Sequence, residues 1–171
     1  MKTTHLPFGR QLSKCLFLAL AIGLNLAAAR NACAEGLNAQ VVGIKDGDTF
    51  VALVDRQPIT VRLSDIDAPE RRQAFGDRSK QALANLVFRK PVRLESAGAD
   101  RYGRTIARVY LGSLDINLEM VKTGYAWAFL RYTHDPAILS AENSARSARL
   151  GLWSESAPIP PWRFRRDGRG Q

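Results

Sequence analysis

"ITVRLSDIDAPERR", residues 59–72, joins a strand pattern to three acids in a chain whose formal net charge is +9. Apolar and polar residues alternate at its start, which predicts a β-strand. Pro69 should end this strand, because proline cannot donate a ladder hydrogen bond. Asp65, Asp67 and Glu70 then lie within six positions of one another. Carboxylates this close repel unless a cation or a hydrogen-bond network lies among them. The stretch therefore predicts a strand that leads into a site for positive charge.

The residues on both sides of this stretch predict a small α+β domain. β-branched and apolar runs predict further strands, and apolar residues at helical spacing predict helices. The predicted elements are strands at 39–45, 48–54, 59–66, 91–96 and 105–111, and helices at 77–89, 117–123 and 136–150. We therefore predict a five-stranded β-barrel of the OB-fold type with about three helices. This fold hides its sheet edges and commonly binds oligonucleotides.

The N-terminal residues have the pattern of an export signal. Residues 1–14 carry three basic residues and no acid, and residues 15–29 are almost all apolar. This run is short for a membrane span, which needs about 20 residues, but it suits a secretory signal. We expect a signal peptide over 1–34, cleaved after Ala34, with an uncleaved N-terminal anchor as the alternative. The predicted location is secreted or periplasmic, without stable membrane association after cleavage.

The mature chain is expected to be basic and free of cysteine. Both cysteines lie within residues 1–34, and removing these residues takes four of the 25 Lys and Arg residues and none of the 16 acids. The remaining formal net charge of +5 suits a polyanion such as nucleic acid. We predict one domain over 35–156 and a flexible basic tail, rich in Pro and Arg, over 157–171.

Two further acids lie in a second short motif, "KDGDT" (45–49). If the two predicted strands are neighbours, Asp46 and Asp48 converge with Asp67 on one rim of the sheet. Hard divalent cations such as Ca²⁺ bind carboxylate, carbonyl and water oxygens. An EF-hand is excluded because the rest of its spacing is missing, and zinc is disfavoured because the mature chain has one histidine and no cysteine. Each motif taken alone is more often a solvated turn, because Asp and Gly are common in turns for reasons of their own.

Two arginines in the motifs near these acids are suited to binding phosphate. Guanidinium groups are permanently charged and fork onto phosphate oxygens, which suits Arg62 and Arg104 to a phosphodiester under attack. On a regular strand Arg62 and Asp67 would point to opposite faces, so we expect a bend near Ala68. A serine hydrolase is disfavoured because the sequence has no G-x-S-x-G motif, and a two-histidine mechanism is excluded because the mature chain has one histidine. Metal-assisted hydrolysis of a phosphodiester fits the residues that are left.

Five short motifs together resemble the staphylococcal nuclease (thermonuclease) family. They are "DGDT", "VRLSDIDAPE", "DRYGR", "MVKTGYAW" and "LGLW", in the family's order and spacing over residues 38–156. The resemblance implies an OB-fold barrel and Ca²⁺-dependent cleavage of DNA and RNA to products that end in 3′-phosphates.

The resemblance also implies a role for individual residues. Its implied catalytic residues are Arg62, Glu70 and Arg104; its implied metal ligands are Asp48, Asp67, the backbone carbonyl of Ala68 and, through water, Asp46; its implied nucleic-acid contacts are Arg101, Tyr102 and Tyr132. Glu70 would act on the attacking water, either as its general base or by orienting it. Two positions depart from the family: Ala68 stands where Thr is common, and Leu130 replaces a second aromatic residue.

We therefore predict a monomeric, secreted nuclease that uses Ca²⁺ and prefers single-stranded DNA and RNA. The alternative is a catalytically inactive OB-fold module that only binds single-stranded nucleic acid. A third possibility, an exported protein that binds Ca²⁺ for stability, leaves the paired arginines unexplained.

Overall fold

The computed structural model describes Met1 and residues 36–168 of the 171-residue chain. Its strands are β1 (Leu37–Ile44), β2 (Thr49–Val54), β3 (Gln57–Leu63), β4 (Ile66–Asp67), β5 (Pro91–Ala99), β6 (Thr105–Leu111), β7 (Leu114–Asp115) and β8 (Trp127–Ala128). Its helices are α1 (Gly76–Val87), α2 (Ile116–Lys122), α3 (Pro136–Ser147) and α4 (Pro161–Asp167), with a 3-10 helix at Gly151–Ser154. The predicted signal peptide over 1–34 lies outside the described residues, apart from Met1. Within the described part of the chain, no helix is long and apolar enough to cross a membrane.

Five strands close into a barrel in the order β1-β2-β3-β6-β5. The pairs β1–β2, β2–β3, β1–β5 and β5–β6 are antiparallel. A parallel pairing of β3 with β6, from Val61 opposite Thr105 to Leu63 opposite Ala107, completes the ring. β7 extends β6, and β4 pairs with β8 in a separate two-stranded sheet. The predicted five-stranded OB-fold barrel of the α+β class is confirmed.

Alternation along β3 separates the core from the site. Val61 and Leu63 are fully buried in the hydrophobic core, together with Phe50 of β2 and Val109 of β6. Arg62 lies between the two buried residues, and successive side chains of a strand point to opposite faces. The burial of its neighbours therefore fixes the guanidinium of Arg62 on the outer rim of the barrel.

Two glycines join the last two sequence motifs through their backbones. Gly124 of "MVKTGYAW" and Gly151 of "LGLW" both have positive φ, 75° and 52°. A Cβ atom added to Gly124 would lie 2.3 Å from the carbonyl oxygen of Leu150. The amide of Leu152 also donates to the carbonyl of Gly124 at 2.8 Å. This close approach needs a residue without a side chain at position 124. α3 ends at Ser147, three residues before its predicted end, and Arg149 has a left-handed φ of 52°.

The structure describes residues 157–168 of the predicted flexible tail over 157–171, and they contain a helix, whereas residues 169–171 lie outside the described residues. Pro161–Asp167 form α4, and Pro161 is buried at its start. The Trp162 ring stacks on Phe129 with 5.5 Å between the centroids and meets Trp127 edge-on at 5.7 Å. Proline at the first helical position suits a helix start, so Pro161 sets the N-terminus of α4. The described residues thus contain four α-helices rather than about three.

Candidate active site

A groove of about 1650 Å³ at the rim of the barrel collects the predicted site residues. All ten line it: Asp46, Asp48, Arg62, Asp67, Ala68, Glu70, Arg101, Tyr102, Arg104 and Tyr132. They come from the β1–β2 turn, the end of β3, β4 and the loop after it, the β5–β6 loop and the segment after β8. Residues up to 86 positions apart in sequence therefore face one cavity.

The guanidinium of Arg62 bridges the two acids that the sequence assigned as metal ligands. Its Nη1 lies 2.7 Å from Oδ2 of Asp48, and its Nη2 donates to Oδ1 of Asp67 at 2.9 Å. β2 and β3 pair Thr49 with Arg62, which brings Asp48 alongside the arginine. All three side chains are largely shielded from solvent, and that of Asp67 is only 1 % exposed. Both acids thus converge on one point, as the sequence predicted.

A turn at Asp65 brings Asp67 to the same face as Arg62. Asp65 has a left-handed φ of 65°, and the Ile66 amide donates to the Ser64 carbonyl at 2.8 Å. The buried amide of Asn117 donates to the same carbonyl at 2.9 Å and holds the turn from α2. The expected bend near Ala68 is therefore found three residues earlier, where it interrupts the strand and resets its alternation.

The two acidic motifs pack directly against each other. Oδ2 of Asp48 accepts a hydrogen bond from the Ala68 amide at 2.8 Å, and Oδ1 accepts one from the Thr49 hydroxyl at 2.8 Å. A Cβ atom on Gly47 would lie 2.8 Å from Cβ of Ala68 and 2.0 Å from Oγ of Ser79. Glycine at position 47 is needed for this contact, and the small Ala68 side chain fits beneath it.

Burial and mutual repulsion disfavour the charged forms of the acids. Burial, with the nearby charge of Asp48, raises the pKa of Asp46 to about 6. Burial also raises the pKa of Asp67, and hydrogen bonds and charge from Arg165 and Arg62 offset only part of that effect. Burial alone would lower the pKa of Arg62, but the charges of Asp48 and Asp67 outweigh it and raise the pKa. The pocket therefore favours positive charge among its carboxylates.

Arg165 of α4 enters the site and was not predicted from the sequence. Its Nη2 donates to Oδ2 of Asp67 at 2.7 Å, and its Nη1 donates to Oε1 of Glu70 at 2.6 Å and to Oδ1 of Asp67 at 3.1 Å. Hydrogen bonds to both carboxylates outweigh its burial and raise the pKa of Arg165. The only sequence feature that pointed to Arg165 was the basic cluster of the predicted tail, and this cluster did not indicate where in the fold the residue lies.

Arg104 is oriented by Asp100, a second residue to which the sequence gave no role. Oδ2 of Asp100 accepts from Nε of Arg104 at 2.8 Å, and Oδ1 accepts from the amides of Tyr102 and Arg104 at 2.9 and 3.0 Å. Burial alone would raise the pKa of Asp100, but these hydrogen bonds outweigh it and lower the pKa. Asp100 opens the quoted motif "DRYGR", so its place in the motif was available as a signal.

Aromatic and basic side chains form the outer wall of the groove. Tyr102 and Tyr132 are 68 % and 64 % exposed. The Arg101 guanidinium lies 4.8 Å from the Tyr102 ring centroid, and Tyr132 packs edge-on against Phe129 at 4.9 Å. Exposed rings beside arginines are suited to stacking with bases. Leu130 is exposed as well, but the groove is not lined by it.

The donor set at the centre fits a hard cation only in part. Among residues 36–168, no three His, Cys, Asp or Glu side chains are grouped closely enough to hold a metal ion. Asp48 and Asp67 do converge, their carboxylates would supply oxygen ligands, and Ala68 with its backbone carbonyl directly follows Asp67. Two carboxylates completed by a carbonyl and water suit Ca²⁺, which binds oxygen ligands in flexible geometries. Zinc, which prefers nitrogen and sulfur ligands, does not fit.

Comparisons with known proteins agree with this geometry. Residues 60–155 match the family described as "Staphylococcal nuclease homologue". The chain is 49 % identical over 138 residues to an uncharacterized endonuclease of Haemophilus influenzae, covering 80 % of this chain and 78 % of the relative. It is 46 % identical over 138 residues to a micrococcal nuclease of Shigella flexneri, covering 74 % of this chain and 79 % of the relative. A probable staphylococcal-like nuclease of Oryza sativa is 38 % identical over 109 residues, or 64 % of this chain and 33 % of the relative.

Proposed function

The chain belongs to the staphylococcal nuclease family and is a phosphodiester hydrolase, and we propose that it uses Ca²⁺ to cleave both DNA and RNA. The observation that carries the proposal is the bridge from Arg62 to two buried acids, Asp48 and Asp67. Glu70 and Arg104 line the same groove. Acids for a hard cation, a carboxylate for water and arginines for phosphate are the parts that metal-assisted hydrolysis requires.

The proposed cation site consists of Asp48, Asp67 and the Ala68 carbonyl, with Asp46 acting through water. When bound, Ca²⁺ supplies the positive charge that polarises a phosphate oxygen and offsets the repulsion between the acids. The Asp48 amide donates to Oδ1 of Asp46 at 3.1 Å and holds this carboxylate beside the site. Oxygen donors and the exclusion of zinc chemistry support calcium as the metal.

Glu70 is the proposed carboxylate for the attacking water. It lies three residues after Asp67 on the loop that leaves β4, and its side chain is 37 % exposed. A carboxylate at this position either takes a proton from water at an Oε atom or orients the water by accepting its hydrogen bond. Both roles require Glu70 to face the phosphate, and its place in the groove supports this.

Arg62 and Arg104 are proposed to bind the phosphate oxygens. Arg62 reaches the site from the barrel rim, and Arg104 reaches it from the β5–β6 loop, oriented by Asp100. Negative charge grows on these oxygens as water attacks, so the arginines stabilise the transition state more than the bound substrate. By analogy with the family, the products end in 3′-phosphates.

The aromatic and basic outer wall of the groove supports the proposed binding of both DNA and RNA. Tyr102 and Tyr132 can stack on bases of either kind, and Arg101 can bind a backbone phosphate. Stacking needs bases that are not already paired, which favours single strands. We propose that the active protein is a monomer and is secreted or periplasmic; the export pattern of residues 1–34 supports this location.

A cleavage assay with matched variants tests the proposal. Purified protein is incubated with single-stranded DNA or RNA, first with Ca²⁺ and then with an excess of chelator. We expect both substrates to be cut with Ca²⁺ only, and Glu70→Gln to lose at least about 100-fold in rate. Lys122→Ala, which removes an exposed charge outside the groove, should retain the wild-type rate. Tight binding without cleavage, or equal cleavage after chelation, would contradict the proposal.

A further inference from the structure

The C-terminal helix places a guanidinium where the proposed cation and water would act. Both carboxylate oxygens of Asp67 accept hydrogen bonds from arginines: Oδ1 from Arg62 and Arg165, and Oδ2 from Arg165. The same Arg165 side chain also holds Oε1 of Glu70. One residue of α4 thus contacts both the proposed metal ligand and the proposed carboxylate for water.

Three contacts near α4 hold it against the domain. Trp162 stacks on Phe129, and Pro161 is buried. The side-chain amide of Gln73 donates to the Ile159 carbonyl, while its oxygen accepts from the Glu70 amide at 3.2 Å. Gln73 therefore connects the segment before α4 to the backbone of Glu70, so the docking of α4 and the position of Glu70 are linked.

A cation and Arg165 compete for the same atoms. Ca²⁺ binds carboxylate oxygens at about 2.3–2.6 Å, and the Arg165 nitrogens lie 3.1 and 2.7 Å from Oδ1 and Oδ2 of Asp67, so the two positive charges would meet at the same carboxylate. Like charges on the cation and on Arg165 would also repel across this short distance. Binding of Ca²⁺ through Oδ2 of Asp67, the oxygen that Arg165 holds and Arg62 does not, therefore favours the departure of Arg165.

Several features make this departure accessible. The Arg165 side chain is 36 % exposed, whereas that of Asp67 is 1 % exposed. α4 has seven residues, and a helix this short depends on its packing rather than on its own stability. A phosphate backbone bound in the groove would offer Arg165 a new partner.

We propose that α4 is an autoinhibitory element in which Arg165 occupies the site until Ca²⁺ and nucleic acid displace it. This inference rests on the proposed function, because it takes Asp67 as a ligand of the cation and Glu70 as the group that acts on water. Docked α4 weakens the apparent binding of Ca²⁺ in proportion to the fraction of molecules with an open site. By linkage, Ca²⁺ weakens the docking of α4 by the same factor.

Calcium binding measured by calorimetry without nucleic acid tests this competition. Arg165→Gln removes the competing charge, and Trp162→Ala loosens the helix while keeping Arg165. Arg163→Gln is the control, because Arg163 is exposed on the same helix and its loss changes the net charge equally. For an open fraction near one tenth, we expect the Kd for Ca²⁺ to fall about tenfold in the first two variants and to change by less than about twofold in the control.

Hydrogen exchange of the full chain provides a second measurement. Adding Ca²⁺ together with a short single-stranded DNA should accelerate exchange of the α4 amides in the wild-type protein. An unchanged Kd in Arg165→Gln and Trp162→Ala, or α4 protection that Ca²⁺ does not alter, would overturn the autoinhibitory role. So would a fall in Kd confined to Arg165→Gln, since that result would reflect charge alone. Loss of cleavage in Arg165→Gln with an unchanged Kd would make Arg165 a substrate contact instead. Absence of Ca²⁺ binding in every variant would overturn the proposed function as well.

Discussion

Nη2 of Arg62 lies 2.9 Å from Oδ1 of Asp67, although five positions separate the two residues along a segment that would be continuous as a regular strand. The turn at Asp65 makes this contact possible, and the buried Asn117 holds the turn. The barrel, through the alternation of β3, fixes Arg62, and the turn fixes Asp67. The geometry of the site therefore depends on interactions outside it, which can be tested separately from the chemistry.

Removing Arg104, the second arginine proposed to bind the phosphate, should slow the chemical step. We expect Arg104→Ala to lower kcat about 100- to 1000-fold and to change KM far less, because the guanidinium acts on charge that develops in the transition state. Steady-state kinetics on single-stranded DNA measures both constants. Lys122→Ala provides the control for loss of a positive charge. A variant whose KM rises while kcat is retained would show that Arg104 only binds substrate.

Removing the negative charge of Asp100 should weaken catalysis through Arg104. Asp100→Asn keeps an oxygen for the amides of Tyr102 and Arg104 but loses the ion pair, so the guanidinium becomes less well oriented. We expect kcat to fall about tenfold, less than in Arg104→Ala. Asp55→Asn, at an exposed turn, is the matched control. In the double variant with Arg104→Ala, the Asp100 substitution should have no further effect; additive losses would contradict a positioning role.

The raised pKa of Asp46 predicts how stability depends on pH when no divalent cation is present. The folded protein holds this proton up to about pH 6, whereas the carboxyl has an ordinary pKa of 3.8. The folded state therefore binds the proton more tightly, and the free energy of unfolding should decrease as the pH rises from about 4 to about 6. Burial also raises the pKa of Asp67, which should add to the decrease in the free energy of unfolding as the pH rises.

Asp46→Asn should remove this pH-dependent loss of stability, because asparagine does not ionise but keeps an oxygen for the Asp48 amide. In chelator, we expect the variant to exceed the wild-type protein by about 1–3 kcal/mol at pH 8 and to match it near pH 3.5. Urea unfolding at both pH values measures the difference. A variant no more stable than wild type at pH 8 would show that Asp46 ionises there without cost.

Asn117 should be essential for the stability of the turn that carries Asp67. Its amide donates to the carbonyls of Ser64 and Ala107, and its oxygen accepts from the Val109 amide at 3.0 Å. Asn117→Leu leaves these buried backbone groups without their partner, so we expect a loss of about 2–4 kcal/mol in urea unfolding. Asn143→Ala, exposed on α3, should change the free energy of unfolding by less than about 0.5 kcal/mol. Similar effects of the two substitutions would contradict this account.

The sequence was informative about the fold where patterns are local. β6 was predicted at its observed bounds, and α3 was predicted to start at Pro136, where Asp135 accepts a hydrogen bond from the Ala137 amide. β5 runs three residues beyond its predicted end, through Gly98, because pairing with β6 continues past a bulge. That pairing depends on a strand elsewhere in the chain, which no local pattern encodes.

The site was predictable where acids and arginines share short motifs, and not where distant segments meet. Arg165 contacts Asp67 across 98 positions, and its helix is too short to show a periodicity. The sequence predicted a bend near Ala68, but the turn lies at Asp65. A left-handed φ at a residue other than glycine is not encoded in the composition, so its position could not be predicted. The sequence motifs, together with the family resemblance, thus identified ten residues that line the groove, but not Arg165 or the turn at Asp65.

The dependence of cleavage on Ca²⁺ concentration, compared between the wild-type protein and Asp67→Asn, tests the central claim most directly. If Arg62 and the acids form one cation-dependent hydrolytic site, the wild-type rate should rise to saturation with Ca²⁺. Asp67→Asn should then need at least about tenfold more Ca²⁺ to reach half of its own maximal rate. A wild-type rate that does not depend on Ca²⁺, or an identical requirement in Asp67→Asn, would contradict the claim.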